Sequence, residues 1–431
     1  MLPAIRMENS LQPYSIPQFS IEKRDIEGFI TELQGFHEHI QDCFARSEPR
    51  DNFYRYMVGQ LSDLERKSIE PMSLQVEGGK ARAMQRLISD VLWDECAMQR
   101  KYHELVAEDL GDPYGVMIFD ETSFQKKGED SIGVARQYCG SLGKVENCQV
   151  GVFAAYASPQ GYALVDKELF IPEKWFADDY EIKRKKCKLP VEVEFKTKPR
   201  LAAEMLRRLR EENILPFKYV TADSVYGNSP EFLNAVEEQV GTVYFVTTPC
   251  DTFFWLRPPV TEKKEYRPRG KRRTRLKVKA KEKAPIKAET FAKNLNNFFW
   301  YKRKVAEGTK GPVEYEFTKR RVTLSKNSLP DREVWLIIRR TLGSQPTYTY
   351  YLSNAPLSTR LVTFVWLSGL RWPIEQSFEE TKTELGMDHY EVRKYPGWHH
   401  HILCTILAHF FLWHLKIILG EEGTQHYGVA A

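Results

Sequence analysis

Three carboxylates and two cations define the chemistry open to this chain. Asp120 closes the apolar run Tyr114-Gly-Val-Met-Ile-Phe-Asp120, Asp223 closes Phe217-Lys-Tyr-Val-Thr-Ala-Asp223, and Glu375 lies between Arg371 and Lys382 in the stretch Arg371-Trp-Pro-Ile-Glu375-Gln-Ser-Phe-Glu-Glu-Thr-Lys382. Two strand-end aspartates and a helix-borne glutamate are hard oxygen donors of the kind that hold divalent cations for phosphoryl transfer on nucleic acid. On a helix, Phe378, Glu379 and Lys382 follow Glu375 at i+3, i+4 and i+7 and share its face, and Pro373 suits a first helical turn just behind Arg371. Taken singly, each aspartate reads as a helix N-cap or turn residue, and the 375–382 face reads as a solvated helix with ion pairs. Together they point to a metal-dependent site at converging strand ends. Glu379 and Glu380 compete with Glu375 for the third place, and the spacing from Arg371 selects Glu375.

The elements around these residues follow from periodicity. Up to about Leu110 the chain predicts helices, notably over 21–44 and 81–105, with apolar residues three and four apart. Ser62 followed by Glu65 has the pattern of a capping box, which would leave Asp63, Arg66 and Lys67 toward solvent or DNA. From Tyr114 the pattern changes to short strands, 114–120, 134–139, 148–157 and 162–171, separated by Gly-Ser-Leu-Gly and Ser-Pro-Gln-Gly turns. A helix over 198–212, a strand over 217–223, a helix over 230–238 and a strand over 242–247 add parallel strands to that meander. The expected fold is α/β: a ribonuclease-H-like mixed five-stranded sheet with flanking helices, a helical N-terminal domain and a β-rich insertion. The expected segments are 1–110, helical and a candidate DNA reader; 111–249, the first part of the catalytic core; 250–332, a basic β-rich insertion; and 333–431, the rest of the core with C-terminal helices.

Composition narrows the class. A chain of 431 residues, 42% hydrophobic and 28% charged, has enough material for a sizeable core and two or three domains. Its seven cysteines form no Cys-x2-Cys pair, which argues against a zinc ribbon or a disulfide framework and for reduced thiols in the cytoplasm. The start of the chain lacks the apolar core of a signal peptide, and the apolar run 402–419 contains His409, His414 and Lys416, so a buried helix is expected there and no membrane span. Charge is concentrated. Residues 262–283 hold twelve Lys/Arg against three Glu, or +9 in a chain of net charge +5, which leaves −4 for the remainder. A block containing Lys271, Arg272, Arg273, Arg275 and Lys277 is suited to neutralising phosphates and releasing counterions. The plain alternative is a solvated loop. His399-His-His401 has no carboxylate or cysteine at ligand spacing and reads as an ordinary cluster. Trp300, Trp335 and Trp366 read as core, although Trp300 in the insertion is placed to stack on an extruded base. Lys126 and Lys127, just after Asp120, read equally as phosphate contacts or as a solubilised turn.

These motifs carry a resemblance. Arg371-x3-Glu375-x6-Lys382 resembles the latter part of the Tyr-x2-Arg-x3-Glu-x6-Lys signature of bacterial insertion-sequence DDE transposases of family 4 and its relative family 701. Phe119-Asp-Glu-Thr-Ser-Phe-Gln-Lys-Lys-Gly, Arg136-Gln-Tyr-Cys-Gly, Gly143-Lys-Val-Glu-Asn-Cys-Gln, Asp223-Ser-Val-Tyr-Gly and Leu385-Gly-Met-Asp-His-Tyr-Glu-Val-Arg393 resemble family 701 most, over about 53–418. The signature tyrosine falls at Ser368, a departure across which no phosphate contact of that tyrosine carries over, while the three carboxylates are unaffected. The resemblance implies that Asp120, Asp223 and Glu375 are the catalytic, metal-binding triad, with Arg371 and Lys382 approaching DNA. It also implies two Mg2+ ions, replaceable by Mn2+, cutting transposon ends and joining them to target DNA. The partners expected are double-stranded DNA, as terminal inverted repeats and target, and a second copy of the chain in a dimer or larger assembly, in the bacterial cytoplasm at the nucleoid. Ser224 and Tyr226, beside Asp223, read as packing or phosphate contacts, since strand transfer needs no covalent enzyme intermediate. The alternatives are a transposase-derived DNA-binding regulator without catalysis and a ribonuclease-H-like nuclease that cuts without joining.

Overall fold

The computed structural model describes residues 23–266, 273–308 and 311–427. The chain divides between Lys218 and Tyr219, and again between Arg371 and Trp372, into two compact units. The first, here the meander unit, begins with five helices, α1 (Lys23–Ile40), α2 (Ser47–Leu61), α3 (Ile69–Gln75), α4 (Ala81–Ser89) and α5 (Glu95–Leu110). The helix expected over 81–105 is interrupted, because Asp94 accepts a hydrogen bond from Ala97 N at 2.8 Å and caps a new helix. No capping box forms at Ser62. Its hydroxyl donates to Gly59 O at 2.7 Å to close α2, and Lys67, expected outside, is buried with its ammonium donating to the carbonyls of Gln60 and Ser62.

The meander follows as β1 (Val116–Gln125), β2 (Ala135–Cys139), β3 (Lys144–Ser158) and β4 (Gly161–Phe170), then the short helix α6 (Glu181–Lys186) and α7 (Lys198–Glu212). β3 is central: β1 and β4 pair antiparallel on either side, and its first residues pair with β2. One correction concerns Asp120. It does not end a strand but lies in the middle of β1, because the ladder runs on from Asp120↔Phe153 to Gln125↔Cys148. Edge strand β4 is covered by α5, whose Tyr102 hydroxyl donates to Leu164 O at 2.5 Å and whose His103 Nε2 lies 2.8 Å from Val165 O.

The second unit, here the insertion unit, opens with β5 (Tyr219–Ala222), the one-turn helix α8 (Ser224–Gly227), α9 (Pro230–Glu237) and β6 (Val243–Thr248), with β5 and β6 parallel. Next come β7 (Phe253–Trp255), β8 (Thr261–Tyr266), β9 (Arg273–Val278), β10 (Ile286–Lys287), α10 (Ala288–Asn294), β11 (Tyr301–Gly308), β12 (Gly311–Lys326), β13 (Leu329–Arg340), β14 (Tyr348–Ser353) and α11 (Leu361–Ser368). β14 pairs antiparallel with β6, β13 with β14, and β12 with β13, so the inserted strands continue the sheet that β6 begins. The segment boundary expected at 332/333 falls inside β13. Phe245 stacks on Tyr351 at 4.6 Å and lies 6.1 Å from Phe364 of α11, which fastens that helix to the sheet.

The chain then returns to the meander unit with α12 (Trp372–Thr383) and α13 (Tyr395–Tyr427). Three antiparallel strands, then two mutually parallel strands with a helix before and between them, then a late helix, form the complement of a ribonuclease-H-like fold, as expected. α13 is long and apolar enough to cross a membrane, but it packs within its own unit against β4 and the helices α2, α4, α5 and α12.

Charge is buried on both faces of β4. Asp166 accepts from Arg208 of α7 at 2.7 Å and from Gln99 of α5 at 2.9 Å, while Lys167 on the opposite face bonds Glu95 of α5. Burial alone would raise the Glu95 carboxyl pKa, but the charges of Lys167 and His399 reverse this and hold it at about 2. A depressed carboxyl stabilises the fold fully above its unfolded value of about 4.5 and loses that contribution as pH falls toward 2. Lys167→Met, which leaves Glu95 without its partner, should cost about 3–5 kcal/mol in denaturant unfolding at neutral pH. The variant should also lose less stability than the wild type between pH 5 and 2, and an unchanged acid limb would remove this pair from the stability of the unit.

Candidate functional site

β1, β3 and α12 carry the site residues of the meander unit. Directly opposed residues of an antiparallel pair point to the same face, so Asp120 shares a face with Phe153, and Thr122 with Gly151. Phe153 meets Phe378 of α12 edge-on at 5.2 Å, one helical turn from Glu375. A Cβ at Gly151 would lie 2.9 Å from the Trp398 ring, so glycine there lets α13 close over the strand. Lys382 Nζ donates to Thr122 Oγ1 at 2.8 Å and to Ser123 O at 3.1 Å. Lys382, expected to approach DNA, is thus turned inward to β1, and burial lowers its ammonium pKa against the opposing charge of Asp388.

α12 therefore lies over the Asp120 face of the sheet with Glu375 exposed and Asp120 half-buried. Of the competing carboxylates, Glu380 is set apart by its partners. Glu379 is exposed on the helix, whereas Glu380 lies 2.7 Å from His409 Nε2 and accepts from the Tyr162 hydroxyl at 3.0 Å. Those bonds hold the Glu380 carboxyl below its ordinary value although burial pushes it up, and they give it a structural role. Glu121, on the other face of β1, pairs with Lys198 of α7 at 2.8 Å. Asp120 Oδ1 accepts from Glu121 N at 2.8 Å.

In the insertion unit, Asp223 directly follows β5 and caps α8, accepting from Val225 N at 2.8 Å. The Asp-Ser-Val-Tyr-Gly text is explained by packing: Tyr226 is fully buried against Phe232 at 5.6 Å, and a Cβ at Gly227 would lie 2.1 Å from Thr247 O. Ser368 donates to Val365 O at 2.7 Å and closes α11. Arg371 acts electrostatically on Tyr351 of β14, whose phenol is raised by burial and lowered by the charges of Arg339 and Arg371.

The basic block is an antiparallel hairpin of β8 and β9, with Lys264 opposite Arg275 and Glu262 opposite Lys277. Alternation along β9 sets Arg275 and Lys277 on one face, and both are exposed; the backbone of Arg273 lies in the same strand. Lys271 and Arg272 lie outside the described residues. Trp300 is buried, with the Arg340 guanidinium 4.2 Å above its ring, which favours the core reading.

Asp120 and Glu375 offer carboxylate oxygens, the donors that hard divalent cations take. Among the described residues no group of three His, Cys, Asp or Glu stands close enough to hold a metal ion. The buried His399, His400 and His401 serve packing: His401 Nδ1 lies 2.8 Å from the Tyr56 hydroxyl, and burial drives the His399 and His401 pKa values down to about 3.

Residues 39–312 match the family model described as DDE superfamily endonuclease. The chain belongs to the DDE superfamily endonucleases. The matched residues span Asp120 and Asp223 and stop short of Glu375. The probable transposase for insertion sequence element IS701 from Microchaete diplosiphon is 25% identical over 353 residues, covering 80% of this chain and 77% of the relative. The expected resemblance to family 701 is borne out, and this DDE protein is a transposase of that type. A piggyBac transposase synaptic complex with hairpin DNA aligns over 94% of this chain and 81% of the other at 8% identity, with a TM-score of 0.42. DDE endonucleases depend on divalent metal, and the carboxylates here are of the right chemical class for it.

A signal that sequence reading passed over is the run Lys183-Arg-Lys-Lys-Cys-Lys188 on and after α6, a second charge block detectable by the same counting that singled out 262–283. Lys382→Met should remove both bonds between α12 and β1 and destabilise the protein by about 1.5–3 kcal/mol, as for hydrogen bonds to a charged group. The salt dependence of DNA binding should stay unchanged in that variant. A shallower salt slope would return Lys382 to the DNA contacts.

Proposed function

We propose that this DDE transposase cuts the ends of its element and joins them to target DNA, with Asp120, Asp223 and Glu375 as the catalytic carboxylates. The observation that supports this best is the placement of Asp120 and Glu375 on one face of the meander unit, held by the Phe153–Phe378 contact and the Lys382 bonds to β1. A carboxylate mid-strand and a second on a packed helix are held by rigid elements, which suits a site that must position hard ligands closely.

Two Mg2+ ions, which Mn2+ would replace, would supply charge neutralisation of the attacked phosphodiester and of the departing 3′ oxygen. Asp120, Asp223 and Glu375 would hold them. Arg371 stands one residue before α12 and is proposed to neutralise a phosphate near the reacting bond. The exposed cations of β9, Arg275 and Lys277, with the neighbouring Lys271, Arg272 and Arg273, bind duplex DNA through its backbone. Because two ends must be cut and joined together, the working form is a dimer or larger assembly on inverted repeats and target DNA, in the bacterial cytoplasm at the nucleoid.

Incubation of the purified protein with its element's end DNA, in Mg2+ or Mn2+ against chelator, tests the reading. Metal-dependent nicking and joined products are expected for the wild type. Asp120→Asn, Asp223→Asn and Glu375→Gln should each lower them by at least about a thousandfold while end binding survives, a loss of about 4 kcal/mol of transition-state stabilisation. Cleavage without joining would favour the nuclease, and binding without cleavage the regulator. Charge reversal across 271–281 should weaken DNA binding and flatten its dependence on salt. An unchanged slope would make the hairpin a bystander.

A further inference from the structure

A cleft of about 550 Å³ opens in the meander unit where β1 ends, lined by Arg66, Lys126, Lys127 and Arg393 among others. One wall is the turn after β1, six residues beyond Asp120, and the other is the segment 388–393 that follows α12. The cleft is thus built on the continuations of the two elements that carry Asp120 and Glu375. Its volume is that of a small-ligand cleft and exceeds what a lone ion needs.

The charges nearly cancel, and the remainder is informative. Arg66 pairs with Glu391 at 2.5 Å, and Arg393 stands 3.7 Å from Asp130. Asp388 is 3.9 Å from His389 Nε2. That leaves Lys126 and Lys127 facing Asp388, a surplus of one positive charge when His389 is neutral, and a phosphodiester carries one negative charge.

Lys126 is unusual for a surface lysine. Its ammonium donates to Tyr390 O at 3.0 Å and lies 3.3 Å from the centre of the Tyr390 ring, so at least one N–H bond remains for another acceptor. Burial lowers its pKa to about 8 even though Asp388 and Glu391 pull it upward. An ammonium held partly out of water without a carboxylate in contact is stabilised by an arriving anion.

We propose that this cleft seats a backbone phosphate of duplex DNA, with Lys126 and Lys127 as the contacting residues and Arg66 and Arg393 as its rim. The proposal rests on the reading of the protein as a DNA transposase and adds a second DNA contact, on the meander unit, to the hairpin of the insertion unit. The phosphate comes from the element's end or from target DNA, and the test separates the two.

The test uses the full chain, a fluorescent duplex of the element's end and an unrelated duplex of equal length, with anisotropy titrations over a range of salt. Lys126→Met and Lys127→Ala should each reduce the slope of log K against log salt by about one, the loss of one phosphate contact. A change on both duplexes is expected, since a phosphate carries no sequence. A change confined to one duplex also supports the seat and assigns it to the end or to the target. Unchanged slopes on both duplexes, with wild-type binding intact, overturn the proposal. Failure of the wild type to bind either duplex overturns the transposase reading as well. If Lys126→Met folds poorly, exposed Lys127 decides. Calorimetry at pH 8 gives an independent reading: DNA binding should take up protons in the wild type, because phosphate raises the Lys126 pKa, and Lys126→Met should abolish that uptake.

Discussion

The docking of α12 on β1 and β3 is the constraint on which the rest of the meander unit depends. It combines an apolar contact, Phe378 against Phe153, with a charged one, Lys382 reaching Thr122 and Ser123. The apolar contact alone would allow the helix to slide or roll, whereas two directed hydrogen bonds from one ammonium fix its register. Because Phe153 is the cross-strand neighbour of Asp120, fixing Phe378 also fixes which residues of α12 lie over Asp120. Glu375, one turn before Phe378 on the same side of α12, is thereby held near that face and remains exposed.

Around that contact the unit places an unusual amount of polar material inside. Lys167, Asp166, His103 and His399, His400, His401 and His409 of α13 are all buried, and each meets a carbonyl, carboxylate, amide or ring partner. Such groups are costly when unpaired, so they tie α5, α7 and α13 to particular positions on β4 and exclude slipped packings that an all-apolar interior would tolerate. This frame holds α12 steady, and it explains why the histidine triplet at 399–401 serves packing and not metal binding.

Much of the secondary structure was legible because strong local signals agreed with tertiary packing. Thr197 caps a helix at its expected place, 198–212, and the strands at 148–157 and 162–171 are bracketed by turns. The failures have physical causes. Ser62 and Glu65 have the residues of a capping box, but the Ser62 hydroxyl went to a carbonyl of the preceding helix. Asp120 read as a strand end because apolar residues stop there, yet pairing with β3 carries the strand five residues further. A charged tract in 262–283 was legible, but its hairpin was not, since a run of cations has no apolar alternation to mark the strands and the register of Glu262 with Lys277 is set by backbone pairing.

By itself the sequence determined the kinds of groups available and their local spacing: an aspartate after an apolar run, a glutamate four residues after Arg371, a block of cations, and motifs that assign the chain to the DDE superfamily. These are properties of neighbouring residues, and helical or strand period converts them directly into faces. The tertiary structure alone decided which cations face outward. Lys382 and Lys67 are spent on hydrogen bonds within the fold, while Lys127 and Arg275 remain exposed. A lysine in a sequence carries the same charge wherever it falls. Whether that charge meets solvent, a carbonyl or a phosphate is set by what packs against it.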